Sequence, residues 1–206
     1  MSQPGIVYVV DDDVSVRESL ELLVRWAGWQ PRTFASASPF LNQPVERVPC
    51  CLILDVGLPD LHGLDVQQRL MARPDLPVIF ITGQADVPMT VRAMKAGAAE
   101  FLTKPFDDEV LLTAVRRALE SSDMVQRETA ELETLRDRYA SLTRREREVM
   151  NLIVAGLLNK QVGVELGTSE VTVKAHRGRV MQKMRAASFA DLVRISSRLD
   201  PVSAKR

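Results

Sequence analysis

The chain has 206 residues, more than one average domain needs and enough for two small ones. Apolar residues make up 46% and charged residues 26%, which excludes a disordered or collagen-like chain, and no uncharged apolar run approaches the roughly 18 residues of a membrane span. The net charge of zero conceals an acidic body and a basic end: residues 1–120 hold 11 Lys/Arg against 16 Asp/Glu, residues 121–141 hold 3 against 5, and residues 142–206 hold 13 against 6.

In chain order, the first region alternates short apolar runs with amphipathic stretches. Strands are expected at 6–10, more weakly at 31–34, then at 51–54, 77–81 and 99–102. Helices fall between them at 14–27, 37–43, 63–72, 87–96 and 107–119. Continuous apolar strands separated by helices predict a doubly wound, five-stranded parallel sheet of the flavodoxin-like kind. Residues 121–141 lack Gly and Pro and carry Leu132, Leu135 and Tyr139 at helical spacing, which predicts a semi-rigid helical linker. Strand signals then vanish, and four helices are expected near 143–155, 159–166, 170–185 and 188–198. The fold class is therefore α/β followed by all-α, with domains at 1–120 and 142–206 joined by the linker. Cys50 and Cys51 are adjacent, where a disulfide would be strained, and have no metal-ligand spacing around them. With no export signal visible, the expected location is the cytoplasm.

In such a sheet, function collects at the carboxyl ends of the strands. The first strand runs into Asp11-Asp12-Asp13, the third ends in Asp55, the fourth in Thr82, and the fifth leads to Lys104-Pro105. Singly, each has a plain reading: a turn-forming or helix-capping Asp, a strand-ending Thr, a solvated Lys. Together they bring carboxylates, a hydroxyl and an ammonium to one rim. Clustered carboxylates favour a cation between them, and hard oxygen ligands suit Mg²⁺ (or Mn²⁺). Asp55 is then a candidate nucleophile toward a phosphoryl group, with Lys104 and Thr82 on the phosphoryl oxygens.

These residues resemble the receiver domain of bacterial two-component response regulators. The resemblance rests on Val10-Asp11-Asp12-Asp13, on Asp55 through Pro59 to Gly63, on Thr82-Gly83, on Met94 to Ala98, and on Phe101-Leu102-Thr103-Lys104-Pro105-Phe106. It implies that Asp55 is the phosphoacceptor and that Asp11, Asp12, Asp55 and the Gly57 carbonyl hold the metal. It also implies that Thr82 and Phe101 form a switch pair, that Lys104 contacts the phosphoryl group, and that the Lys104–Pro105 bond is cis. It further implies that Gly57 and Gln84 lie near the path of attacking water. Val91 and Lys95 are candidates for a dimer contact.

The basic end carries its own pattern. Thr143 and Glu146 form a capping box behind Leu142, Asn159 is expected to cap the next helix, and Gly167 and Ser169 mark a short turn into a longer helix. Two helices around such a turn describe a helix-turn-helix, whose second helix enters the major groove. At roughly 100° per residue, Val173, Val180, Met181 and Met184 form its core stripe. Lys174, Ala175, Gly178, Arg179 and Gln182 lie on the open side, small residues central and cations at the flanks. A solvated basic face is the plain alternative. Arg177 falls on the core side and must snorkel or pair with an acid, and His176 is expected to pack.

Residues Leu142–Ile195 resemble the LuxR-type DNA-binding domain, through Leu142-Thr143 to Val149, Val171-Thr172-Val173-Lys174 with His176, and Met181, Lys183 and Met184. The resemblance adds Thr172 and Lys183 to the DNA-binding set and gives the last helix a dimer contact through Leu192 and Ile195. The two halves together resemble a FixJ/NarL-type regulator, nearest the FixJ branch. Its implied partners are a sensor histidine kinase, promoter DNA, a second copy when phosphorylated, and RNA polymerase, with no membrane. Its implied role is phosphorylation-controlled transcription, leaning toward activation. Two alternatives stand beside it: a Mg²⁺-dependent phosphotransferase or phosphatase using Asp55, and a constitutive DNA-binding protein. Against the first, Gly57 stands where dehalogenase-type phosphatases carry a second acid.

Overall fold

A computed structural model describes residues 5–199 of the chain other than 45 and 85, and its first half is built on five parallel strands. These are β1 (Ile6–Val10), β2 (Gln30–Phe34), β3 (Cys50–Asp55), β4 (Val78–Thr82) and β5 (Glu100–Thr103), in the order β2-β1-β3-β4-β5. Every residue of β1, β3 and β4 is buried, as continuous apolar runs require of a sheet covered on both faces. The weakly signalled β2 pairs with β1 alone, an edge position that tolerates Pro31, which has no N–H for a ladder.

Helices α1 (Val14–Trp26), α2 (Ala37–Leu41), α3 (Gly63–Arg69), α4 (Val87–Lys95) and α5 (Asp108–Ala140) complete this half. Side chains alternate along each strand and so divide the core in two. Tyr8, Leu52, Leu54 and Phe80 pack with Phe40, Val66 and Ala93 on one face; Val7, Val9, Ile53 and Ile79 pack with Leu20, Val24, Leu111 and Val115 on the other. Gly63 lets α3 start hard against β3, because a Cβ there would lie 2.8 Å from the Asp55 carbonyl oxygen and 2.9 Å from Val56 Cα. Cys50 and Cys51 are free and buried.

The chain divides into two units, Met1–Arg127 and Glu128–Arg206. The boundary expected at 120 falls short for a specific reason. Ser122 is wholly buried, accepts the Cys50 N–H at 3.0 Å and donates to the Asp75 carbonyl at 2.5 Å, while Gln126 donates to the Val48 carbonyl at 2.7 Å. These bonds tie residues 121–127 to the sheet unit. Of the apolar stripe, Leu135 is buried with Leu142 and Val149 and Tyr139 packs against the same cluster, while Leu132 is half-buried. α5 runs unbroken because nothing in it interrupts a helix, and residues 127–134, between the two sets of contacts, are exposed apart from the half-buried Leu132.

The second unit adds α6 (Arg144–Val154), α7 (Asn159–Glu165), α8 (Glu170–Met184) and α9 (Phe189–Leu199). The capping box forms as read: Glu146 N–H donates to Thr143 Oγ1 at 3.3 Å, and Thr143 N–H donates to Glu146 Oε2 at 2.8 Å. Ser169 caps α8 through the Thr172 N–H, and Gly167 takes the left-handed conformation (φ 61°) that ends α7. Asn159 is not a cap. Leu158 holds that position, its N–H bonded to Gln161 Oε1, while Asn159 Oδ1 accepts from Arg177 at 3.3 Å.

Leu192 and Ile195 are corrected too. They are 0% and 9% exposed and pack with Val173, Val180 and Met184, so neither is available to a second copy. Their periodicity marked a buried face, and the domain itself fills that face. The exposed positions of α9 are Phe189, Ala190, Arg194 and Arg198, with Val193 and Ser197 half-buried beside them.

Candidate functional site

Strand register assembles the acidic rim. Val10 pairs with Leu54, so Asp11 follows its strand directly beside Asp55; Asp55 pairs with Ile81, so Thr82 stands one residue further along the next strand. Thr82 pairs with Thr103, and the Lys104 N–H donates to the Thr82 carbonyl at 2.7 Å. Four side chains distant in sequence thus arrive at one edge. The Lys104 ammonium lies between two carboxylates, 2.6 Å from Asp11 Oδ2 and 2.8 Å from Asp55 Oδ1. The other Asp55 oxygen accepts the Gly57 N–H at 2.6 Å, and Asp11 Oδ1 accepts the Asp13 N–H at 2.9 Å. The Lys104–Pro105 bond is cis.

Burial pushes the Asp11 carboxyl above the usual carboxylate range, in spite of its bonds to Lys104 and Asp13. Burial also works against the Lys104 ammonium, but the bonds to Asp11 and Asp55 outweigh it and raise that group above its ordinary value. Asp12 does not join the pair: it is exposed, and its described bond is made by its carbonyl. The buried Thr82 hydroxyl is held within its own turn, donating to the Gln84 carbonyl at 3.1 Å and accepting the Gln84 N–H at 3.2 Å. Phe101 is half-buried against Phe80, with ring centroids 5.9 Å apart. On α4, Val91 is 43% exposed and Lys95 is exposed, beside the exposed Val87 and Met94.

The second unit presents α8 as the wheel predicted. Val173, Val180 and Met184 are buried, while Thr172, Lys174, Ala175, Gly178, Arg179 and Gln182 are exposed. Lys174 pairs with Glu170 at 3.0 Å on the surface, and Arg179 is free among the described contacts. Lys183 departs from the set. Its ammonium bonds Glu146 Oε2 at 2.7 Å and the Ser141 carbonyl at 3.1 Å, which makes it part of the frame of the domain. Arg177 snorkels as required but finds no acid among the described residues: it bonds Asn159 and lies 5.3 Å from the Phe189 ring centre. His176 packs half-buried, its Nδ1 enclosed and without a partner.

Comparison with known proteins accounts for both units. Residues 7–116 match the response regulator receiver domain, and residues 140–196 match the bacterial regulatory proteins of the luxR family. Nodulation protein W of Bradyrhizobium diazoefficiens is 49% identical over 96% of this chain and 88% of its own length. The transcriptional regulatory protein FixJ of Azorhizobium caulinodans is 43% identical over 92% of this chain and 90% of its own. The chain belongs to the FixJ/NarL family of response regulators. Among solved structures, the response regulator StyR is 44% identical with a TM-score of 0.86, covering 95% of this chain and 100% of that one. Full-length FixJ from B. japonicum is 35% identical with a TM-score of 0.55, covering 98% and 100%.

A response regulator of this architecture is a transcription factor rather than an enzyme. Its receiver implies a sensor kinase and its LuxR-type domain implies DNA. Among the described residues no helix is long and apolar enough to cross a membrane. Receivers of the family use Mg²⁺, and the donor set here fits it in part. Asp11 and Asp55 converge on one cation, the Lys104 ammonium, as two hard oxygen donors suited to an ion that keeps most of its water. Among the described residues no three His, Cys, Asp or Glu side chains are gathered as a metal cluster, so the fit rests on the Asp11 and Asp55 carboxylates.

The sequence reading missed two residues around this site. Arg17 binds the carbonyls of Asp11 and Asp12, and Asp60 caps α2 from a distance by accepting the Ala37 and Ser38 N–H groups at 3.1 and 2.8 Å. The Ser38 hydroxyl bond, ahead of those backbone bonds, holds the Asp60 carboxyl at about 2. Neither was legible, because both act on main chain that only the folded loop brings near.

Proposed function

We propose that Asp55 is the phosphoacceptor of this regulator and that its phosphorylation controls a homodimer bound to promoter DNA. One observation carries the reading: the Lys104 ammonium joins Asp11 and Asp55 at neighbouring strand ends, with Thr82 one strand further on. In the proposed reaction an Asp55 oxygen attacks phosphorus, the bond from phosphorus to the donor nitrogen or oxygen breaks, and an acyl phosphate forms. Lys104 follows a phosphoryl oxygen, and the Thr82 hydroxyl leaves Gln84 to donate to another. Phe101 then turns inward against the face formed by α4 and β5, and that two-state element biases the dimer.

Asp11, Asp12, Asp55 and the Gly57 carbonyl are the residues that would hold Mg²⁺ or Mn²⁺, which when bound offsets negative charge on the phosphoryl oxygens. Slow self-dephosphorylation at Asp55 is the extent of the chemistry. Gly57 and Gln84 border it: a Cβ at 57 would stand 3.4 Å from Asp55 Oδ2. Dimerisation uses the exposed face of α4 around Val91 and Lys95, and on α9 the exposed Ala190 and Arg194, with the half-buried Val193 beside them, take the place of Leu192 and Ile195. Thr172, Lys174, Ala175, Gly178, Arg179 and Gln182 meet the major groove, the cations mainly on phosphates. The partners are a sensor histidine kinase and RNA polymerase, and the setting is the cytoplasm.

The reading is tested by incubating the full chain with acetyl phosphate and Mg²⁺, followed by mass spectrometry. One phosphoryl group on Asp55, absent from Asp55→Asn, is the expected result. A group on another residue, or none, overturns it.

A further inference from the structure

Arg17 lies in the first turns of α1, half-buried, six residues beyond Asp11. Its Nη1 donates to the Asp11 carbonyl at 2.7 Å and to the Asp12 carbonyl at 2.8 Å. A guanidinium beside an acidic loop would ordinarily pair with a carboxylate. Here both described bonds go instead to the main chain of the two acidic residues. The loop between β1 and α1 is thereby fixed from several sides: Arg17 on two carbonyls, the Asp13 N–H on Asp11 Oδ1 at 2.9 Å, Lys104 on Asp11 Oδ2 at 2.6 Å, and Asp13 capping α1 through the Ser15 N–H at 2.8 Å. Asp12 is the acid without a described side-chain bond, so Arg17 is the contact from outside the loop that holds its backbone.

We infer that Arg17 is a positioning residue for cation binding at the Asp55 pocket, an inference that rests on the reading of that pocket given above. Its charge alone would repel a divalent cation. Its hydrogen bonds act the other way, because they order in advance the backbone from which Asp11 and Asp12 offer their oxygens. Removing a partner that orients ligands in this way weakens metal affinity by about ten-fold or more. Once the cation is bound, the loop is ordered by the cation itself, so the rate of phosphorylation at saturating Mg²⁺ is preserved.

The test titrates Mg²⁺ into the full chain by calorimetry for wild type, Arg17→Met, Arg17→Lys and Arg17→Gln. It is paired with the initial rate of Asp55 phosphorylation by acetyl phosphate against Mg²⁺ concentration, and with thermal unfolding in a chelator to establish that each variant is folded. The account predicts a dissociation constant raised about ten-fold in Arg17→Met, with the saturating rate close to wild type, and an intermediate value in Arg17→Lys, whose ammonium can still reach a carbonyl. Unchanged or tighter Mg²⁺ binding in the folded variants overturns the inference; if Arg17→Met does not fold, Arg17→Lys and Arg17→Gln decide it by the same measure. A wild type that neither binds Mg²⁺ nor takes a phosphoryl group on Asp55 overturns the pocket reading, and this inference with it. A wild type that does both, with variants that bind as it does, overturns this inference alone.

Discussion

Lys183 of α8 and Glu146 of α6 are joined at 2.7 Å, and the carboxylate oxygen that meets the ammonium is the one that closes the capping box with the Thr143 N–H at 2.8 Å. The bond ties α8 to the start of the domain. It also commits the Lys183 ammonium to contacts within the domain.

Lys183→Met leaves the buried Glu146 carboxylate without its cation. Lys183 is itself about a third exposed, so the loss is discounted from that of a fully buried pair to about 1–2 kcal/mol. The Lys183 bond, then the Thr143 N–H, hold the Glu146 carboxyl below its ordinary 4.5. A lowered folded pKa stabilises above the unfolded value and ceases to do so as pH falls through the folded value. Urea unfolding of wild type against Lys183→Met therefore shows a gap at pH 7 that narrows as pH drops below about 4.5.

Arg179 and Lys183 differ in what they do for DNA. Arg179→Ala is expected to weaken binding across sequences and to reduce the slope of log affinity against log salt by about 1, as loss of one phosphate contact does. Lys183→Met is expected to leave that slope unchanged. Titration of a promoter fragment at several salt concentrations measures both.

Asp11 works against the stability of the fold it serves. Because burial raises its pKa, the unfolded chain ionises first, so stability falls as pH rises from about 3.8 through the folded value. Asp11→Asn removes that cost. In chelator at pH 7 its melting temperature is expected to exceed that of wild type, with the difference narrowing as pH falls toward 3.8 and below. The same variant is expected to lose Mg²⁺ binding.

Ser122→Ala reports on where the sheet unit ends. It leaves the Cys50 N–H buried without an acceptor, at a cost of about 1–3 kcal/mol. A spacer position would cost nothing measurable, and denaturant unfolding of the full chain separates the two.

Gly63→Ala brings a Cβ to within 2.8 Å of the Asp55 carbonyl oxygen and 2.9 Å of Val56 Cα, both main-chain atoms that cannot swing aside. The expected destabilisation is about 1–3 kcal/mol by urea titration, with slower phosphorylation as the end of β3 shifts.

Much of this was legible from patterning. Continuous apolar runs marked β1, β3 and β4 because both faces of a parallel sheet are covered, and their polar ends marked Asp11, Asp55 and Thr82. Periodicity says that a face is buried but not what buries it. Leu135, Leu192 and Ile195 all sit in one core, although the spacing of Leu135 fits a linker helix equally well and the resemblance assigns Leu192 and Ile195 to a dimer contact. Lys183 and Asn159 went astray for a related reason: side-chain partners from other helices claimed them. Arg17, Asp60 and Ser122 act on distant backbone, which no spacing within the sequence encodes.

The central claim is that a phosphoryl group on Asp55 controls DNA binding. The most direct measurement follows oligomeric state and promoter-fragment affinity of the full chain before and after acetyl phosphate with Mg²⁺, with Asp55→Asn alongside. The account predicts that wild type dimerises and binds more tightly while Asp55→Asn does neither. Phosphorylation of Asp55 with oligomeric state and DNA affinity unchanged would contradict it.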